Sequence, residues 1–143
     1  MDLDRNGREV PGRDECMRLL GTATVGRVAI TSRALPTVVP VSFFIDGDRI
    51  VVRACEGGEL EAATAEAVVA FEADDLDPSG ERGWSVVVIG VARPICDAAE
   101  LLALRATPVG RWMLDGSARI IEISTDLVTG RRMVPAMTDV YLG

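Results

Sequence analysis

The chain contains no histidine and no lysine; all fifteen of its basic residues are arginine. Without histidine, Ser-His-Asp and Cys-His catalytic arrangements are impossible, and so are the usual His-ligated zinc and haem sites. Without lysine there is no pyridoxal Schiff base and no P-loop lysine. Aromatic residues are scarce as well: three Phe, two Trp and one Tyr in 143 residues. The core must therefore come mostly from Val, Ile, Leu and Ala, and the abundance of Val favours strands. The three cysteines, Cys16, Cys55 and Cys96, are odd in number and widely spaced. That pattern argues against a disulfide framework or a zinc knuckle, and a reducing cytoplasm is the simplest setting. No apolar run is long enough to cross a membrane, and the polar stretch Met1 to Gly12 lacks the apolar core of a signal peptide. The net charge of −7 works against nucleic-acid binding, which needs a basic face.

Residue patterns along the chain predict a mainly β domain spanning residues 1–143, with 1–12 and 134–143 as flexible ends. The segment Asp14 to Leu20 puts Cys16, Leu19 and Leu20 on one helical face, with Asp14 placed as its cap. Alternation of Val28 and Ile30 against Arg27, Ala29 and Thr31 predicts a half-buried strand over Val25 to Thr31. Val38 to Ile45 and Arg49 to Cys55 read as a hairpin joined at Asp46-Gly47. Gly57-Gly58 breaks the second strand, and Glu59 to Glu66 reads as a short Ala-rich helix. Val68 to Ala73 and Trp84 to Pro94 are further strands. The acidic stretch Glu72 to Glu81 lacks the ligand order of an EF-hand and reads as a solvated loop. Asp97 and Glu100 form a capping-box-like pair for a helix to about Arg105, Thr107 to Ser117 reads as irregular, and Arg119 to Ser124 is the last clear strand. The tail after Gly130 is expected to be partly disordered. About six mostly antiparallel strands with three small helices predict a small barrel.

Four segments then fall in a recognisable order. They are Val25-Gly26-Arg27-Val28-Ala29; Pro40-Val41-Ser42-Phe43 leading into Asp46-Gly47; Arg53-Ala54-Cys55-Glu56-Gly57-Gly58-Glu59-Leu60; and Gly83-Trp84-Ser85-Val86. Together they resemble the pyridoxamine 5′-phosphate oxidase-like family of FMN-binding split barrels, and in particular its small single-domain members. The resemblance covers roughly Asp14 to Arg132. It implies a six-stranded antiparallel split β-barrel and a homodimer with a flavin at each end of the subunit interface. The isoalloxazine would lie on the strand Val39, Pro40, Val41, Ser42 and Phe43, with backbone groups bonding its polar edge. Trp84 and Ser85 would meet it from the neighbouring strand; alternatively Trp84 plugs the barrel end and Ser85 faces solvent.

At the phosphate end the family pattern places a cation and a hydroxyl, then a small loop, then Ser-Lys or Arg-Lys opening a helix, a geometry suited to an anion. Here Arg53 is kept, Ala54 replaces the hydroxyl, the loop is Gly57-Gly58, and Glu59 stands at the Lys position. Exchanging a cation for an anion about 4 Å from a phosphate turns attraction into repulsion. Each such interaction is worth roughly 1 kcal/mol in water and about 4 at an effective dielectric of 20. Arg27 or an arginine of the dimer partner would have to compensate. Glu59 also suits the first turn of a helix on its own account. Cys55 beside Arg53 is either a buried, inert thiol or one activated by the cation, and Arg131-Arg132 is either a solvated strand end or a phosphate clamp.

The resemblance implies an FMN-dependent oxidoreductase acting on a small substrate, with no residue identified as acid, base or metal ligand. Members that make the vitamin carry a C-terminal substrate signature that includes His, so that reaction is not assigned to this chain. Two other readings stay open. One is a non-catalytic module holding a deazaflavin, another planar ligand or nothing; the other is a dimerising scaffold.

Overall fold

The computed structural model describes residues 3, 9–54, 58, 60, 65–114 and 119–133. Helix α1 (Arg13–Leu20) leads into strands β1 (Val25–Ser32), β2 (Leu35–Asp46) and β3 (Arg49–Ala54). Strands β4 (Ala67–Leu76) and β5 (Gly83–Pro94) follow, then the short helices α2 (Ala98–Ala106) and α3 (Pro108–Met113), and last β6 (Arg119–Ser124) and β7 (Leu127–Met133). All pairings between these strands are antiparallel. Six strands close in the order β4-β1-β2-β3-β6-β5, and β5 returns to β4 through ten registered pairs. Period-2 alternation puts Val28 and Ile30 of β1, Val41 and Phe43 of β2, Phe71 and Ala73 of β4, and Val86 and Val88 of β5 inside. Phe43 and Phe71 meet edge to face, with ring centroids 4.7 Å apart. Both are fully buried, and each is worth about 1.5–3 kcal/mol of burial. Gly26 makes that packing possible, because a Cβ there would overlap the Phe71 ring.

Cys16, Leu19 and Leu20 of α1 fill one part of this core. A second cluster lies outside the barrel wall, where Ile95, Leu104, Met113 and Leu114 cover Val51 of β3 and Ile120 of β6. Residues of both faces of β3 are consequently buried, so its apolar residues run consecutively instead of alternating.

The barrel is split along one edge of β5. Ala92–Pro94 pair with β6, whereas Gly83–Ile89 pair with β7. Between Ala92↔Ile123 and Ile89↔Leu127, Gly90 and Val91 face three residues, Ser124, Thr125 and Asp126. The extra residue is a β-bulge, so β6 and β7 form one bent run along β5. At the bulge the Ser124 carbonyl sits against bare Gly90, in space a Cβ would occupy. The Val91 amide donates to Ser124 Oγ at 2.8 Å. Thr125 is buried; Arg13 at the start of α1 donates to its carbonyl (2.8 Å) and to Oγ1 (2.7 Å), while its hydroxyl donates to the Asp48 carbonyl. Helix, bulge and the β2–β3 turn are thereby tied together.

Several expectations are corrected. Gly12, not Asp14, is the N-cap of α1, without a side-chain bond, and Asp14 lies in the first turn. Strand β2 begins at Leu35 because Arg33 and Ala34, both with positive φ, close a two-residue hairpin with β1. The segment expected to be irregular contains α3, capped by the Thr107 hydroxyl accepting from the Gly110 amide. The stretch after Gly130 is not a loose tail up to Met133: it completes β7 on the edge of β5. Most of the acidic stretch is not loop either, since Glu72 to Leu76 belong to β4 and only Asp77 to Arg82 form the turn. Of the expected helix Glu59 to Glu66, Leu60 is helical, 59 and 61–64 lie outside the described residues, and Ala65-Glu66 form a bend. Asp97 caps α2 as expected, accepting from the Glu100 amide.

The contact at Gly90 gives a direct prediction. Gly90→Val drives a branched side chain into the Ser124 backbone and is expected to cost about 3 kcal/mol, the upper range for overpacking. A shifted urea midpoint measures it; an unchanged midpoint would show that the bulge yields freely.

Candidate functional site

Strand β2 is longer than its partner on one side. Pairing with β3 covers Ser42–Asp46 only, while pairing with β1 runs on to Leu35. From about Pro40 back toward Pro36, β2 therefore has β1 on one edge and no strand on the other among the described residues. The direction of its backbone groups follows from the ladder. The Phe43 amide donates to the Thr24 carbonyl, so Phe43 and every second residue before it, Val41, Val39 and Thr37, turn toward β1. Ser42, Pro40, Val38 and Pro36 turn the other way. Ser42 is paired there with Arg53, which leaves the carbonyls of Pro40, Val38 and Pro36 and the amide of Val38 along the open edge. The two prolines have no N–H and sit where none is needed for pairing with β1.

A cavity of about 180 Å³ lies at this edge, where β3 ends, lined by Val39, Pro40, Val41, Arg53, Ala54, Gly58 and Leu60. Its walls are mostly apolar, with the exposed Arg53 as its cation. Six of the residues expected from the sequence meet here: Val39, Pro40, Val41, Arg53, Ala54 and Gly58. Ser42 lies beyond them on the outer face, opposite Arg53, and Phe43 is spent in the core against Phe71. Gly57 and Glu59, like Cys55, lie outside the described residues. Trp84 and Ser85 are not on a neighbouring strand: β5 is three strands from β2 in either direction round the barrel. Trp84 is buried in the main core, and half-buried Ser85 sits between Asp74 and Arg131. Leu60 and the carbonyl row extending to Pro36 were not anticipated; the proline spacing Pro36-Pro40 is the signal that marks the open edge.

A larger cavity, about 350 Å³, lies at the bulge and is rich in charge. Two of its arginines are already committed. Arg13 holds Thr125, and Arg49 bonds Asp46 at 2.9 Å, Glu100 at 2.5 Å and Glu122 at 2.6 Å. Partial burial disfavours the Arg49 charge, but these carboxylates outweigh it and hold the group firmly protonated. Donors satisfied in this way bind α2 and α1 to the barrel and leave little for an anion.

Beside the smaller cavity, Arg27 of β1 stands opposite Pro40 on one side and Glu72 on the other. Its guanidinium reaches Glu72 at 3.2 Å and Asp74 at 3.5 Å. Burial, reinforced by the adjoining Asp74 carboxylate, pushes Glu72 up to about 7 against the pull of Arg27.

The fold, six antiparallel strands closed into a barrel with a seventh strand on the edge of β5, is that of the split barrels. The chain belongs to the pyridoxamine 5′-phosphate oxidase family, whose sequence profile matches residues 12–132. It is 38% identical over 127 residues to the uncharacterized protein Rv0080 of Mycobacterium tuberculosis, covering 85% of this chain and 83% of that one. It is similar to the FAD binding protein from Mycobacterium smegmatis, with a TM-score of 0.74 and 31% identity over 87% of this chain and 97% of that one. The FAD and heme binding protein of the same organism shares the fold, with a TM-score of 0.74 and 23% identity over 94% and 80% of the two chains.

Glu72 sets a pH dependence. Its carboxyl is raised from an ordinary 4.5 to about 7, so the folded chain holds a proton that the unfolded chain has lost. Stability from this group is full below about pH 4.5 and is lost as pH rises through 7. Glu72→Gln is therefore expected to melt about 2–6 °C higher than wild type at pH 8, with the gap closing toward pH 4.5. Thermal melts across that range check the sign; a gap that grows toward acid would contradict it.

Proposed function

We propose that this chain binds a flavin at the open edge of β2 and uses it in redox chemistry on a small molecule. The observation that carries the reading is the cavity at that edge, with apolar walls, a backbone row of carbonyls with one amide, and Arg53 at the end of β3. A flavin ring presents one N–H between two carbonyl oxygens, and that edge can be met by the Val38 amide and a neighbouring carbonyl. Val39, Val41 and Leu60 would wall the ring, and Arg53 would face the phosphate. When bound, the flavin supplies the electron transfer; the protein orients it and excludes water. The FAD-binding relative at 31% identity favours the dinucleotide over FMN.

The cavity is smaller than the roughly 300–1,000 Å³ that encloses a drug-sized ligand. One chain would thus hold only part of a flavin, which supports a homodimer in which the second copy covers the remainder. The face available for pairing is the outer surface of β2, β1, β4, β5 and β7, which exposes Val25, Val38, Val68 and Leu127. Helices cover the outer face of β3 and β6 instead. In a dimer, Ser85 and Arg131 of one copy could approach the flavin of the other. Cys96 is an exposed free thiol, in keeping with a reducing cytoplasm, and the acidic charge weighs against a nucleic-acid partner. Among the described residues no helix is long and apolar enough to cross a membrane.

Mass spectrometry of small molecules released from natively purified protein, with its visible spectrum, tests the reading directly. FAD or FMN in near-stoichiometric amount is expected. A colourless protein that neither releases nor quenches either flavin would leave the flavin-free scaffold, and a released deazaflavin would replace the cofactor. Arg53→Glu is expected to weaken flavin binding at least about tenfold, by the charge reversal facing the phosphate, with an unchanged circular dichroism spectrum.

A further inference from the structure

The outer face of β2, β1, β4, β5 and β7 mixes the exposed Val25, Val38, Val68 and Leu127 with Thr31, Ser42 and Thr129, and near its middle carries one charged cluster. Glu72 projects there from β4, flanked by Ala70 on its own strand, by Ala29 and Val25 diagonally on β1, and by Val87 opposite and Ile89 diagonally on β5. Its charged neighbours are Arg27 on β1 and Asp74 on β4. Strand β5 contributes no charge beside it, only Val87, Ile89 and Ser85. Strand β7 brings Arg131, opposite Ser85 and so two strands from Asp74. With both carboxylates ionised, Arg27, Glu72 and Asp74 sum to −1; with Glu72 protonated they sum to zero.

We propose that pairing of two copies through this face takes up protons at Glu72, so that self-association, and the ligand site it completes, strengthens as pH falls. The inference rests on the homodimer proposed above and adds its regulation. A second copy is the occupant that the face favours. The face exposes Val25, Val38, Val68 and Leu127, and the cavity at the edge of β2 is too small to enclose a flavin by itself, so a second copy set about a two-fold axis would cover both. Covering the cluster removes water from a group of three charges with a net charge of −1, and in a symmetric pair it does so twice. Desolvation of that kind penalises the charged form, and one proton per copy relieves it. The single chain is already poised for this, because half-burial and Asp74 have brought Glu72 up to about 7. Further burial raises it again, so protons enter on association at and just above neutral pH. Each proton bound on pairing makes the dimer dissociation constant rise tenfold per pH unit within the window, and two make it rise a hundredfold (about 10 and 100, by linkage).

The experiment is sedimentation equilibrium of the full chain, with whatever cofactor it carries, from pH 6 to 8.5 at constant ionic strength. Wild type is expected to dimerise with a dissociation constant that rises about tenfold or more across that range. Glu72→Gln keeps the shape of the side chain without the proton and is expected to remain dimeric with a flat profile. Asp74→Asn leaves Glu72 in place but removes the neighbouring carboxylate that helps raise it, and is expected to move the slope to lower pH, which guards against a folding defect in either variant alone. A dimer whose affinity is the same at every pH, or a slope that persists in Glu72→Gln, overturns the inference and leaves the homodimer standing. A monomer at every pH overturns the homodimer itself.

Discussion

Strand β5 gives one edge to two partners, and the contact that allows this is the Ser124 carbonyl lying against the bare backbone of Gly90. One extra residue in the β6–β7 run bends it there, so that β6 can turn to β3 and close the barrel while β7 continues along β5. The remaining architecture depends on that bend. Thr125 at the bulge is the residue that Arg13 grips, which seats α1 over the core. The Asp48 carbonyl, held by the same threonine, ties the β2–β3 turn to the bulge.

Much of this is legible in the sequence wherever side-chain chemistry repeats with a period. The alternation of β1 and of β5, the Asp97 cap and the apolar face of α1 follow from local pattern, because inward and outward positions differ in polarity. What fails to show is geometry without a side-chain signal. Arg33-Ala34 forms a primed hairpin turn with neither Asn nor Gly in it, so nothing marks Leu35 as the start of β2. Strand β7 contains Thr129, Gly130, Arg131 and Arg132, a polar run whose place is fixed by its partner β5, and tertiary pairing overrides its weak propensity. Helix α3 is similarly set by its Thr107 cap and by burial of Met113 and Leu114 against β3 and β6.

For the candidate site, composition excluded whole classes of chemistry, and the ordered motifs pointed to the stretch of β2 and the end of β3 that border one cavity. Six expected residues do line one cavity. Trp84 and Ser85 do not lie on a strand beside β2, because closing six strands puts β1 and β4 between β2 and β5 on one side, and β3 and β6 on the other, which no local motif encodes. The Glu72–Asp74–Arg27 cluster was hidden for a related reason: an acidic run reads as loop until strand pairing shows alternate members on one face.

The prolines of β2 have a consequence for the company the protein keeps. An exposed strand edge ordinarily invites another strand, because donors and acceptors alternate along it and any extended chain can match them. Between Pro36 and Pro40 that row offers carbonyls with a single amide at Val38, so an incoming strand would find most of its own acceptors unanswered. A small planar molecule with a short run of polar atoms needs only one donor and a neighbouring carbonyl. The edge can stay open to a ligand while remaining a poor template for aggregation.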